Sequence, residues 1–461
     1  MVLEDYNPHV HREEYIAHPT NNAETFFHLI KGVLGTGVLA MPEAFKYAGM
    51  YNGIIFLLTL AVFVTYCLHI LVRTQYILCK KKQTGLLYYA DSMIVACEVG
   101  PGCFKNLGSI LSFMTDFFMI FYQIGTCCVY WVFVGDNLKY VVDNYYKNNF
   151  SKQIYMLFLF VPHCLGMCIR NLKLLAPFSL VADVITFVTF AVVYYYIFSD
   201  LQSNFTDRPA WGSAIDFPLF FGTVLFSLQS VPVVISVENN MKTPAFFRKW
   251  YGQLNVGFGL LTIFYFFVGV FGYWRYGEDI KSAITMNFPK EEILAQVIII
   301  SYCIAIFLSY LLNAYVPIHI LEERYIYPKL NEDATERKKF WIDMALRFLY
   351  VCVTCLISTT IPLLGLIISL CGVFCTTHLG IIFPPLMEIC ALWEDERSKP
   401  KTLLFWKSVA IIIFGIFSMV IGVYATIKAM VEQLEVEYMQ ITVSAATSLA
   451  TTISSNGTTT I

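Results

Sequence analysis

The chain has 461 residues, 57% of them apolar and 14% charged, with a mean hydropathy of +0.62, a composition far from that of a soluble domain. Its formal net charge of −2 comes without any basic block, so nothing points to a nucleic-acid partner. Stretches apolar enough to cross a bilayer recur along most of its length, which makes the lipid bilayer its solvent.

Residues 1–22 are polar and acidic-leaning (Glu4, Asp5, Glu13, Glu14) and lack the basic and short apolar regions of a cleaved signal peptide. They read as a cytoplasmic N-terminal tail. Eleven transmembrane helices are predicted after it, at about 25–48, 52–78, 107–136, 153–169, 173–198, 216–241, 251–274, 292–320, 340–358, 361–391 and 403–430. Together they make a transmembrane domain over 23–430, followed by an extracytoplasmic tail over 431–461.

Basic residues set the orientation. With the N-terminus inside, the cytoplasmic segments hold Lys80 to Lys82, Lys105, Arg170, Lys242, Arg248, Arg324 and Arg337 to Lys339, among others, and the other face is poorer in them. The sequons at Asn149, Asn204 and Asn456 all fall on the outer face and are candidate glycosylation sites. None of the 14 cysteines falls in a predicted outer loop. Cys352-x-x-Cys355 has no histidine pair nearby, so the cysteines read as small packing residues and no metal or cofactor is expected.

The first span carries His28-Leu-Ile-Lys31-Gly32-Val-Leu-Gly35-Thr36-Gly37-Val-Leu-Ala-Met-Pro42, with glycines where a helix tolerates them least. The sixth carries Phe221-Gly222-Thr223-Val-Leu-Phe-Ser227-Leu-Gln229-Ser230-Val-Pro232, where proline removes a helical hydrogen bond. If spans one to five and six to ten are repeats, over about 25–198 and 216–391, these interruptions occupy matching places, the best sequence pointer to a transporter site. Amides freed around Gly35, Thr36 and Gly37 suit a carboxylate, and carbonyls near Ser227, Gln229 and Ser230 suit an ammonium. The site is therefore expected to take a zwitterion.

The first-span motif resembles the first-helix signature of proton-coupled amino acid transporters of the amino acid/auxin permease family. Asp116-Phe-Phe-Met-Ile-x-x-Gln123, Phe221-Gly-Thr, Asn240-Met-Lys and Ile367-Ile-Ser-Leu with Pro384 to Glu388 are similar to the same pattern, over about residues 20–430. The resemblance implies an all-α leucine-transporter-like fold of five plus five inverted helices plus an eleventh, with broken first and sixth helices. It also implies secondary transport of small neutral amino acids with protons, and matches His28 to the family histidine implicated in proton coupling. Two departures stand out. The family's Phe-Glu-Gly at the sixth-helix break reads Leu228-Gln229-Ser230 here, and its outer-loop cysteine pair is missing.

Charge at membrane depth marks function by default. His28, read as buried two turns before Gly35, has the chemistry of a proton switch. Lys31 reads as snorkelling or binding a head group. Asp116 and Asp183, the carboxylates well inside spans, would relay protons or pair with a helix terminus or Arg347. Glu43 and Lys46 read as an exposed pair, and His69, His163, His319 and His378 as packing residues. Tyr122 and Gln123, near mid-depth on the third span, would touch substrate. A transporter fits these features best. An amino acid sensor signalling to a cytosolic partner through Leu321–Lys339 and Trp393–Lys401 is the alternative. No paired catalytic motif suggests an enzyme. The plasma membrane is the expected site, with lysosomal or endosomal membrane the other reading.

Overall fold

The computed structural model describes residues 6–14, 16, 19–146, 150–170, 172–199, 201, 205–228, 231–330, 336–394 and 399–456. Among them the only extended pairing is an isolated bridge between Thr20 and Met241. That is what a lipid solvent imposes, since each helix satisfies its backbone groups within itself.

The first span consists of α1 (Asn22–Val33) and α2 (Thr36–Ala48), which meet at a 50° bend. Asn21 starts α1 with a reciprocal cap: its side chain accepts from the Glu24 amide and its amide donates to the Glu24 carboxylate, both at 2.9 Å. Then come α3 (Met50–Lys82), α4 (Tyr89–Val99), α5 (Gly108–Tyr145), α6 (Lys152–Phe158), α7 (Phe160–Met167) and α8 (Leu172–Phe198). The sixth span, Phe217–Asn239, is described on either side of residues 229–230, as α9 (Phe217–Leu228) and α10 (Val231–Asn239), and the single turn α11 (Pro244–Phe247) follows. Next are α12 (Gln253–Tyr276), α13 (Ile293–Ile320) and α14 (Glu336–Thr360). The tenth span runs from α15 (Leu364–Cys371) through π-helical turns at Gly372–Thr376 and His378–Ile382 into α16 (Phe383–Ala391). The last helix, α17 (Leu403–Asn456), continues well past 430, through most of the expected tail.

Among the described residues, nine helical stretches are long and apolar enough to cross a membrane, ten with the bent first pair. The segment expected as the fourth span forms α6 and α7, of 7 and 8 residues. Neither approaches the ~20 residues of a bilayer crossing. Helix length thus yields ten spans where hydropathy along the sequence yields eleven.

The first and sixth spans lie in the interior. α2 packs on α9 and α12, α15 on α9 and α5, and α13 on α5 and α8. Trp131, Tyr265, Tyr273, Tyr302 and Tyr310 are fully buried between them. α17 sits on the perimeter, with Phe414, Phe417, Ile421 and Tyr424 exposed, the surface that lipid solvates.

Candidate functional site

The first break falls at Leu34 and Gly35, both in extended conformation. No side chain caps α2, so the orphan amides of its first turn are left for a ligand or water. The second break was expected at Gln229 and Ser230, which lie outside the described residues, between α9 and α10. A tyrosine from a third helix joins the first and sixth spans: the Tyr265 hydroxyl of α12 is 3.1 Å from the Val33 carbonyl and 2.9 Å from that of Ser227.

The glycines divide their work. A Cβ on Gly35 would meet nothing within 4 Å, so the break opens to space. One on Gly37 would come within 2.4 Å of Ser227 Oγ, and one on Gly32 within 2.4 Å of a Val233 methyl. Gly32 and Gly37 therefore let the first and sixth spans touch, above and below the opening at Gly35.

That opening is a cavity of about 250 Å³. Gly35, Thr36, Gly37, Tyr122 and Ser227, the candidate substrate contacts, line it together with Gln123, Phe226, Tyr302, Ser309 and Asn313. Gln123 Oε1 and the Tyr302 hydroxyl are buried without a hydrogen-bond partner. Unpaired polar atoms at a cavity wall are costly unless water or a ligand completes them. Cavities of about 480 and 770 Å³ continue toward the face bearing the N-terminus, the first of them sharing Lys31, Gly32, Gln123 and Asn313 with the central one. On the opposite face a cavity of about 310 Å³ near Glu43, Lys152 and Lys281 shares no lining residue with it. Buried Phe45, edge-on to Phe220 at 5.8 Å, lies in the packing between α2 and α9 on that side.

Several ionisable groups stand differently from expectation. His28 is exposed, not buried, because its side of α1 lines the 480 Å³ cavity. Lys31 does not snorkel: its ammonium pairs with Asp183 of α8 and donates to Ser179 Oγ at 2.8 Å, at the central cavity. Asp116 is buried and pairs with Arg324, not Arg347, at 2.9 Å, while the Tyr325 hydroxyl donates to it at 2.8 Å. Arg347 instead pairs with Asp343 one turn away. Glu43 and Lys46 do not form a pair. Glu43 is half-buried beside Tyr47 and Gly365, and Lys46 donates to the Glu278 carbonyl at 2.6 Å. His69 bonds Asn255 at 2.7 Å, and His163 and His378 each bond a backbone carbonyl of their own helix at 2.7 Å, as packing residues do.

Of the glycosylation candidates, Asn149 and Asn204 lie outside the described residues, and Asn456 is the last residue of α17. Tyr265, Tyr302 and Asn313 went unnoticed in the sequence. An isolated polar group at mid-span in an otherwise apolar helix is the one signal that could have flagged them.

The first helix is interrupted where it meets the sixth span at a central cavity, an arrangement that a membrane-transport scaffold uses. The chain is similar in structure to an inward-facing conformation of Mhp1, with a TM-score of 0.53 at 9% identity, covering 91% of this chain and 92% of that one. The fold is thus the leucine-transporter type expected. The family profile described as "Transmembrane amino acid transporter protein" matches residues 18–428, and the chain belongs to that family. It is 31% identical over 429 residues to the Drosophila melanogaster "Proton-coupled amino acid transporter-like protein pathetic", covering 93% of this chain and 88% of that one. It is 25% identical over 417 residues to the Caenorhabditis elegans "Probable amino acid transporter skat-1", covering 88% and 89%.

Proposed function

We propose that this chain is a proton-coupled secondary transporter of small neutral amino acids that works by alternating access. The carrying observation is the broken first helix, packed against the sixth span at a cavity of about 250 Å³ that continues toward the face bearing the N-terminus. The uncapped α2 terminus suits the substrate carboxylate, and the break expected at Gln229 and Ser230 would free carbonyls for its ammonium. The small volume, narrowed by Tyr122, Phe226 and Tyr302, favours glycine-, alanine- or proline-sized substrates. His28 is the proton-coupling residue, since it lies on the open path seven residues before Gly35. Asp116 and Asp183 are coupling candidates of lower rank, because each already holds a cation.

The name of the Drosophila relative supports proton coupling, and the basic-residue asymmetry supports a cytoplasmic N-terminus. We assign the protein to the plasma membrane. The test is uptake of labelled alanine, glycine and proline into liposomes containing the purified protein, with acid outside. The reading predicts accumulation that survives replacement of sodium by choline and collapses with a protonophore.

A further inference from the structure

Lys31 and Asp183 are the only acidic or basic side chains among the described residues lining the central cavity. They approach from different elements, α1 and α8, and Ser179 fixes the ammonium from the same side at 2.8 Å. Neither is sealed away: their side chains keep 34% and 25% exposure, at the cavity they both line. A pair made only to brace two helices would gain nothing from facing a substrate space, and partly buried ion pairs are weak braces.

We propose that this ion pair restricts the site to amino acids with uncharged side chains. The inference rests on the amino acid reading above. The α2 terminus supplies partial positive charge, and the break expected at Gln229 and Ser230 would supply the negative, for the substrate's own carboxylate and ammonium to occupy. What remains of the substrate meets a wall whose two full charges cancel. A cationic side chain drawn to Asp183 is repelled by Lys31, and an anionic one drawn to Lys31 is repelled by Asp183. Selection against charge therefore comes from mutual compensation, and removing either partner leaves one unit charge in the wall. Asp183→Asn turns the site toward acidic side chains, and Lys31→Met turns it toward basic ones. The double variant restores a neutral wall and with it the preference for neutral substrates.

The test is equilibrium binding, which is independent of the driving force. The full-length purified protein and the three variants are titrated with alanine, glutamate and lysine at one fixed pH, and affinity is read from the rise in thermal unfolding midpoint. Against alanine, glutamate should gain about tenfold in Asp183→Asn and lysine about tenfold in Lys31→Met, the low end of what a close charge pair contributes. The double variant should rank the three as the wild type does. Single variants that bind alanine with unchanged ratios to glutamate and lysine overturn the proposal. So does a result in which only the double variant binds alanine, which would make the pair a brace. A wild-type protein that alanine does not stabilise contradicts the amino acid reading itself, and the proposal with it.

Discussion

The hydroxyl of Tyr265 lies 2.9 Å from the carbonyl oxygen of Ser227, on the sixth span, and also reaches Val33 at 3.1 Å. Val33 ends α1, and a carbonyl at a helix end has no partner within the helix, so one buried hydroxyl completes it while joining it to the sixth span. Tyr265→Phe keeps the ring and orphans the Val33 oxygen. The expected loss is about 1–3 kcal/mol of stability, the cost of a buried unsatisfied group. Thermal unfolding of the purified variant checks it, and an unchanged midpoint would show that the hydroxyl does not hold the two spans together.

Gly37 and Gly35 should respond oppositely to alanine. At Gly37 the new methyl meets Ser227 Oγ at 2.4 Å, so overpacking of about 1–3 kcal/mol is expected. At Gly35 the methyl enters open space on extended backbone that any residue adopts, so stability holds while ligand affinity falls. Ser227→Gly should rescue Gly37→Ala in thermal stability and do nothing for Gly35→Ala. Equal destabilisation by the two alanines would count against this division of roles.

The N-terminal arm is fastened by Arg12, whose guanidinium reaches both carboxylate oxygens of Glu238 at 3.0 and 3.1 Å and the Glu238 carbonyl at 2.9 Å. Both side chains are buried. Arg12→Ala removes the guanidinium that holds this buried carboxylate at the end of α10 and leaves Arg248 as its nearby cation, so the cost should approach that of a broken buried pair, about 3–5 kcal/mol. The arm should become protease-sensitive and the protein less stable, and Glu238→Gln should recover part of the loss in the Arg12→Ala background.

The same arm should undock in acid. His9 stacks on Tyr76 of α3 at 4.5 Å. Burial first, then Arg12 and Arg248, lower its pKa from 6.5 to about 4. The undocked histidine takes up its proton near 6.5 and the docked one near 4, so docking is complete above 6.5 and weakens as pH falls toward 4. Proteolysis of the arm should therefore accelerate over that window. His9→Phe keeps a ring against Tyr76 without a titrating group, and should flatten the dependence.

The break expected at Gln229 and Ser230 lies outside the described residues, but the first helical break was legible, because glycine acts through the local backbone and Gly35 falls in it. The partners of ionisable groups were not. Lys31 meets Asp183 across 152 positions of sequence, and Asp116 meets Arg324 across 208, pairings that only the packing of distant helices creates. His28 misled for a related reason: an apolar helix implies burial until a cavity opens along one of its faces. The fourth span stays unconfirmed by helix length, since α6 and α7 divide a run that hydropathy reads as continuous into pieces of 7 and 8 residues.

Proton coupling through His28 is tested most directly by proton movement that substrate alone drives. Purified protein in liposomes with equal pH on both sides, no sodium and a lumenal pH dye receives external alanine. The lumen should acidify as alanine enters, and His28→Ala should lose the acidification while still binding alanine. Alanine entry without any lumenal acidification, or acidification that His28→Ala leaves intact, would contradict the account.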